Sequence, residues 1–385
     1  MNSPINWNEL KKAKRIVVKV GTSSLTYPTG NLNLVSLEQL TRQLVAIKNQ
    51  GREVLLVTSA AVGAGMGRIN IKDKPEKISD RQALAAIGQG ILMHIYEKFF
   101  NEYGVVVAQV LLTKDDLADR QRYLNARNTM RKILEYSAVP VINENDTVAF
   151  DQIKFGDNDT LSAMVAGLVD ADLLVLLSDI DGLYTNDPNK DAGAKLIPIV
   201  EDITPEIESL AGGEGSALGS GGMKTKIAAA RIAVSQGIPM VLANGSHQDS
   251  LRFLSSSENS LEQDIRSFGT LFLPKLNSMG SRKGWLAFST RPAGTVIVDE
   301  GASKAIADKD KSLLPSGVLS VENDFQRGEV VDVKYQSGVI ARGIVNYSSG
   351  DITKIMGKHS SEIDSILGFG YDREIIHKDN LSLLM

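Results

Sequence analysis

Short apolar runs dominated by Val, Ile and Leu recur at 15–20, 53–58, 105–112, 139–143, 173–178 and 239–243. Runs of this length without polar alternation read as strands buried on both faces. Longer amphipathic stretches separate them. Over 34–50 the apolar positions are Leu37, Leu40, Leu44 and Ile47, a helical spacing, and Gly51 follows as a stop. A second helix is expected to begin at Ser79, with Gln82 completing a capping box. Alternation of strands and helices requires crossover connections, so the fold class expected is α/β: a mostly parallel sheet with helices on both sides. Ligands in such sheets bind beyond the carboxyl ends of the strands, which is where the chemistry belongs.

The pattern changes after about residue 273. The stretch 274–283 (PKLNSMGSRK) reads as a linker. Beyond it lie short runs at 295–298, 318–321, 329–334 and 339–345, separated by Gly and Pro. They point to a small β-rich domain over 284–385.

Several chemistries are excluded. The chain has no cysteine, which removes disulfides, iron–sulfur clusters, zinc fingers and a thiol nucleophile. His94, His247, His359 and His377 are widely spaced, and H-E-x-x-H is absent. The formal net charge is -4, a poor balance for a general binder of nucleic acid or anionic membrane. The amino terminus lacks an apolar core and no run approaches the roughly 20 residues of a membrane span, so a cytoplasmic protein is expected. G-x-x-x-x-G-K-[ST], G-x-G-x-x-G, H-R-D and D-F-G are all missing.

The residues after each strand are more informative. Lys19 precedes Gly21, Thr22, Ser23 and Ser24, small residues that let backbone N–H groups approach an anion. The second strand runs into TSAAVGAGMG at 58–67, which suits either an anion at a helix start or close helix–sheet packing. The fourth leads to VINENDTV at 141–148, and KFGDNDTLSA follows at 154–163. Capping accounts for one of Asp157, Asn158 and Asp159, but not for two acidic clusters together; they could hold an ammonium group or orient a lysine. The fifth ends LLSDIDGLYTNDP, with Asp179, Asp181 and Asp187 in a turn-rich loop that lacks EF-hand spacing. Six glycines over 212–222 then feed an Ala-rich helix carrying Lys224 and Lys226, an arrangement suited to polyphosphate.

In this order, VKVGTS, VTSAAVGAG, INENDTV, FGDNDTLSA, LLSDIDGLYTNDP and SGGMKTK resemble the amino acid kinase family, and the region from about 284 resembles a PUA domain through TVIVDEGASKAI and SLLPSGV. The resemblance covers nearly the whole chain and implies an αβα sandwich. It implies ATP with Mg2+ as donor and the γ-carboxylate of L-glutamate as acceptor, at the first step of proline biosynthesis. Lys19 and Lys226 would contact the transferring phosphoryl group, with Asp159 holding them in place. Ser59, Asp146 and Asn158 would bind glutamate. Lys19, Ser178, Asp179, Ser220, Gly221, Gly222, Met223, Lys224, Thr225 and Lys226 would line the ATP site; the metal ligands are unassigned. Where relatives often read TSGA, this chain has Ala60, at a cost in backbone freedom beside the substrate carboxylate.

A carboxylate nucleophile is already ionised at neutral pH, so no general base is needed. The barrier is repulsion between two anions, which lysines and a metal would relieve. An aspartate such as Asp146 suits a free ammonium and disfavours N-acetylglutamate. Proline as feedback inhibitor and a homo-oligomer are further implications. The region 284–385 carries 11 Lys plus Arg against 14 Asp plus Glu, so RNA is not an expected partner. The alternatives are a kinase of the same fold acting on aspartate or N-acetylglutamate, and an RNA-binding regulator using the PUA-like domain.

Overall fold

The computed structural model describes residues 7–27, 31–71, 73, 75–149, 158–188, 190–210, 222–247, 250–255, 269–274, 281–288, 290–309, 311–368 and 372–384. They fall into two compact units, Met1–Ser278 and Met279–Met385.

The first unit is built on one sheet. Its strands are β1 (Arg15–Val20), β2 (Glu53–Val57), β3 (Val107–Leu112), β4 (Val139–Glu144), β5 (Leu173–Ser178), β6 (Ile199–Val200), β7 (Met240–Asn244) and β8 (Gly269–Phe272). Their order across the sheet is β3-β4-β2-β1-β5-β7-β8-β6. Pairing is parallel from β3 to β7, and β8 runs antiparallel to β7. The chain moves outward from β1 in one direction to β2 and β4, then returns to β1's other side for β5 and β7. That reversal makes β1 the switch point where a crevice opens at the strand ends. Lys19 pairs with Val57 on one side and Leu176 on the other, so it sits at that crevice.

Burial explains the apolar runs. Every residue of β5 is buried, as are Ile16 to Val20 of β1. The run at 105–112 departs from the expectation of two buried faces: β3 is partly exposed because it is the edge strand. The helix Leu34–Lys48 buries Leu37, Leu40, Leu44 and Ile47, and the Asn33 side chain caps it by accepting from the Ser36 N–H at 3.2 Å. The expected capping box at Ser79 does not form. The helix Ile78–Asn101 starts one residue earlier, and the Gln82 amide instead donates to the Ala149 carbonyl at 3.2 Å, a tertiary partner that no local pattern encodes. No helix among the described residues is long and apolar enough to cross a membrane.

The second unit has its own core of Val296, Val298, Phe325, Val331, Val333, Tyr347, Ile352 and Ile355. Its sheet takes the order β10-β9-β11-β12-β13, from β9 (Gly294–Val298), β10 (Val318–Glu322), β11 (Val330–Tyr335), β12 (Gly338–Ile344) and β13 (Leu381–Leu383). The linker read at 274–283 is shorter than that at its far end. Residues 281–283 open a helix, Ser281–Phe288, that buries Trp285 and Leu286. Arg342 anchors its end, donating to the Thr290 carbonyl at 2.8 Å and to Asp332 at 2.7 Å.

Candidate functional site

Three buried ionic groups meet beyond the end of β1. Lys19 comes from that strand, Asp159 from the first turn of the helix Asn158–Leu168, and Lys226 from the helix Met223–Ser235. Lys19 Nζ lies 2.5 Å from Asp159 Oδ1, and Lys226 Nζ lies 3.4 Å from Oδ2. The Thr225 hydroxyl donates to the same Oδ2 at 2.9 Å and to the Gly222 carbonyl at 2.8 Å. The exposures are 2% for Lys19, 5% for Lys226 and 0% for Asp159. Burying ions costs several kcal/mol each, and a hydrophobic cluster of equal volume often serves stability as well or better. Such a triad is weak evidence for stability, and buried ionic groups of this kind gather at functional sites. A Cβ at Gly21 would stand 3.6 Å from Lys19 Nζ, an ordinary contact distance, so position 21 adjoins the ammonium.

A second group adjoins it through Asn158. The Asn158 Nδ2 faces three acceptors: the Thr58 carbonyl at 2.8 Å, the Ser59 hydroxyl at 2.9 Å and Asn143 Oδ1 at 3.1 Å. Asn143 Oδ1 also accepts from the Glu144 N–H at 2.9 Å, and its Nδ2 donates to Gln89 Oε1 at 2.8 Å. The Thr58 hydroxyl bonds to the buried Tyr96 hydroxyl at 2.8 Å. The ends of β2 and β4 are thus tied to the start of the Asn158–Leu168 helix.

Ala60 takes φ 77° and ψ 9° at the junction between β2 and the helix Ala61–Arg68. A residue with a Cβ pays about 1–2 kcal/mol for that left-handed conformation. Ala60→Gly is therefore expected to raise stability by about 1 kcal/mol, after the entropy of the unfolded glycine is deducted. Thermal melting checks this: a rise of roughly 2–4 °C is expected, and a fall would deny the strain.

At the last residue of β4, burial pushes the Glu144 carboxyl up to about 7, the Asp146 charge adds to this, and Arg81 opposes it. Burial also raises Asp146, against Arg81. At the end of β5, the Ser178 hydroxyl donates to Asp179 at 2.9 Å. The Gly245 N–H donates to the Ser178 carbonyl at 2.7 Å, and a Cβ at 245 would fall 2.7 Å from Ser24 Oγ and 3.1 Å from Leu177 Cβ, so the chain passes close to both. Burial raises Asp181, but hydrogen bonds from Asn244, His247 and Tyr184 outweigh it and hold that carboxyl below its usual range.

Of the residues expected from sequence, Lys19, Asp159 and Lys226 converge, as do Ser59 and Asn158. Thr225 joins the first group through its hydroxyl. Ser178 and Asp179 stand one strand from Lys19, since Lys19 is paired with Leu176. Lys224 is exposed while Lys226, two residues on, is buried, so the two lysines face apart. Asp146 is half-buried but makes no hydrogen bond to Ser59 or Asn158 among the described residues. Ser220, Gly221 and Asp157 lie outside the described residues, as does most of the glycine run. Asp187 is exposed and lies 3.6 Å from Lys190. Asn143 belongs to the polar cluster read at the end of the fourth strand, and Thr58 opens the stretch read at 58–67; Gln89 and Tyr96 were not anticipated, because nothing in the helix segment that carries them says what they meet. Among the described residues, no cluster of three or more His, Asp or Glu could hold a metal ion.

Residues 14–244 match the amino acid kinase family. The chain belongs to that family. Residues 294–367 match the PUA domain, in agreement with the second sheet. The chain is 54% identical to the glutamate 5-kinase of Carboxydothermus hydrogenoformans, over 97% of this chain and 99% of that one. It is 52% identical to the glutamate 5-kinase of Moorella thermoacetica, over 97% of each chain. It is 48% identical to that of Geobacter sulfurreducens, over 97% of this chain and 99% of the relative.

Proposed function

We propose that this chain transfers the γ-phosphoryl group of ATP to the γ-carboxylate of L-glutamate, giving glutamyl 5-phosphate, the first step of proline biosynthesis. Its activity is that of a glutamate 5-kinase. Near full-length identity to three proteins of that name supports it. The observation that carries the mechanism is the pair of lysines on one buried aspartate.

A carboxylate oxygen attacks the γ-phosphorus, the bond from that phosphorus to the bridging oxygen breaks, and ADP leaves with the electron pair. No proton moves, so no general base is needed. The requirement is positive charge fixed in advance where two anions meet, in a site of low dielectric. Lys19 and Lys226 supply it, and Asp159 holds both ammonium groups so that little reorganises during transfer. Ser59, Asn158 and Asp146 take the glutamate head, and Ser178, Asp179 and residues 220–226 take ATP. Mg2+ would ride mainly on the ATP phosphates, which suits an ion that keeps its own waters and few protein ligands, and would supply further charge neutralisation. Proline as feedback inhibitor, a homo-oligomer, a cytoplasmic location and separate domains at 1–273 and 284–385 complete the reading, on the strength of the family.

Trapping the acyl phosphate with hydroxylamine tests the function. Hydroxamate and ADP should form together with glutamate, but not with aspartate or N-acetylglutamate. ATP turnover without glutamate hydroxamate would overturn it.

Glu144 adds a pH dependence. With its carboxyl up at about 7, it is neutral below pH 6 and ionised above pH 8. Ionisation adds negative charge near an ammonium bound at Asp146. KM for glutamate is therefore expected to fall as pH rises through 7, and Glu144→Gln should flatten that part of the profile. A KM that rises over the same interval would contradict the assignment.

A further inference from the structure

Two amide side chains beside the site carry polar atoms that the described residues leave unpaired. Among the described residues, Gln89 Nε2 and Asn158 Oδ1 are buried without a hydrogen-bond partner. Buried amides are nearly always paired, so each exception calls for an explanation. The explanation lies in how the chain of amides is anchored.

Backbone groups cannot flip, and two of them hold the chain. The Glu144 N–H donates to Asn143, so the Asn143 oxygen must face it. The Asn143 Nδ2 must then face Gln89, which can only offer its oxygen. At the other end the Thr58 carbonyl accepts from Asn158, so the Asn158 nitrogen must face inward, where Asn143 Oδ1 also accepts from it. Both unpaired atoms follow: Gln89 is left with an idle donor and Asn158 with an idle acceptor. Turning Asn158 around would set its oxygen against the Thr58 carbonyl and Asn143 Oδ1, acceptor against acceptor.

We propose that Gln89 is a positioning residue. By accepting from the Asn143 Nδ2 it steadies the Asn143 oxygen, which together with the Thr58 carbonyl holds the Asn158 nitrogen inward and leaves the Asn158 oxygen free to accept from the substrate ammonium. This rests on the glutamate kinase reading. It deepens that reading by giving Asn158 a defined polarity, which favours a free amino group over an acylated one. A second support comes from the same helix. Tyr96, seven residues after Gln89 and so on the same helical face, holds the Thr58 hydroxyl. One helix thus braces both strand ends that grip Asn158.

The test compares Gln89→Met, which fills the space without an acceptor, with Gln89→Glu, which keeps an oxygen for Asn143. In the trapping assay, Gln89→Met is expected to raise KM for glutamate about tenfold, the weight of one buried hydrogen bond, with kcat and KM for ATP changed less than about twofold. Gln89→Glu should hold KM for glutamate within about threefold of the parent. A parental KM for glutamate in Gln89→Met overturns the proposal. So does equal loss in both variants, because packing damage alone would move both.

A second readout needs no substrate. The Asn158 side-chain amide signal, assigned by its disappearance in Asn158→Asp, should exchange slowly with solvent in the parent and in Gln89→Glu. It should exchange faster in Gln89→Met. Equal exchange in all three sinks the relay. If the parent forms no hydroxamate from glutamate, the function fails, and the exchange rates still decide whether Gln89 sets the amide.

Discussion

Replacing Lys226 by alanine is expected to lower kcat about a thousandfold, the size of loss seen when one preorganised charge is removed from a phosphoryl-transfer or oxyanion site. KM for glutamate should change less than kcat, because the Asn158 amide donates to Thr58, Ser59 and Asn143 at the ends of β2 and β4 rather than to any atom of Lys226. The chain should remain folded. Losing one partner of a buried pair costs about 3–5 kcal/mol when it strands a charge. Here Asp159 keeps Lys19 at 2.5 Å and the Thr225 hydroxyl at 2.9 Å. Melting and steady-state kinetics on the same preparation separate the two effects. A folded variant with near-parental kcat would remove Lys226 from the chemistry. A large rise in KM for glutamate with kcat intact would move it to the glutamate site.

The strands legible in the sequence were those whose surroundings are uniform. β1 and β5 are central and buried on both faces, so their apolar runs carry no other message. The short strands escaped notice. β6 has two residues and β13 three, too few for any period to register. β8 begins with glycine and follows a polar stretch. Local patterns failed where a distant partner competed for the same side chain, as the Ala149 carbonyl competes for Gln82.

The site was legible in a different way. Nothing in the spacing of Lys19, Asp159 and Lys226 says that they meet; the parallel sheet gathers the ends of separate segments, and only the resemblance joined them beforehand. Lys224 and Lys226 looked equivalent in the sequence. Helical geometry makes them differ, since residues two apart point to different faces. Gln89 stayed hidden because a polar residue on a buried helix face has no sequence signature of its own. Its meaning depends on Asn143, which belongs to another strand.

The same helix carries the second large effect. A Cβ on Gly88 would fall 1.8 Å from the Ala61 carbonyl oxygen and 2.5 Å from the Gly65 nitrogen. One on Gly65 would fall 2.0 Å from the Leu84 carbonyl oxygen. The helices Ala61–Arg68 and Ile78–Asn101 therefore touch backbone to backbone, with no flexible side chain between them to yield. Gly88→Ala is expected to cost about 3 kcal/mol or more, the upper range for overpacking, and to lower Tm by roughly 6–12 °C. The relief available is to push the long helix outward, which would draw Gln89 from Asn143 and Tyr96 from Thr58. KM for glutamate should then rise more than KM for ATP. Gly90→Ala is the control: no atom lies within 4 Å of its added Cβ, and an exposed helical glycine replaced by alanine should gain up to about 1 kcal/mol. Equal melting of both variants would mean that the two helices do not meet at Gly88. A Gly88→Ala chain that melts early yet binds glutamate normally would mean that the contact serves stability alone, and that the long helix does not brace Asn158.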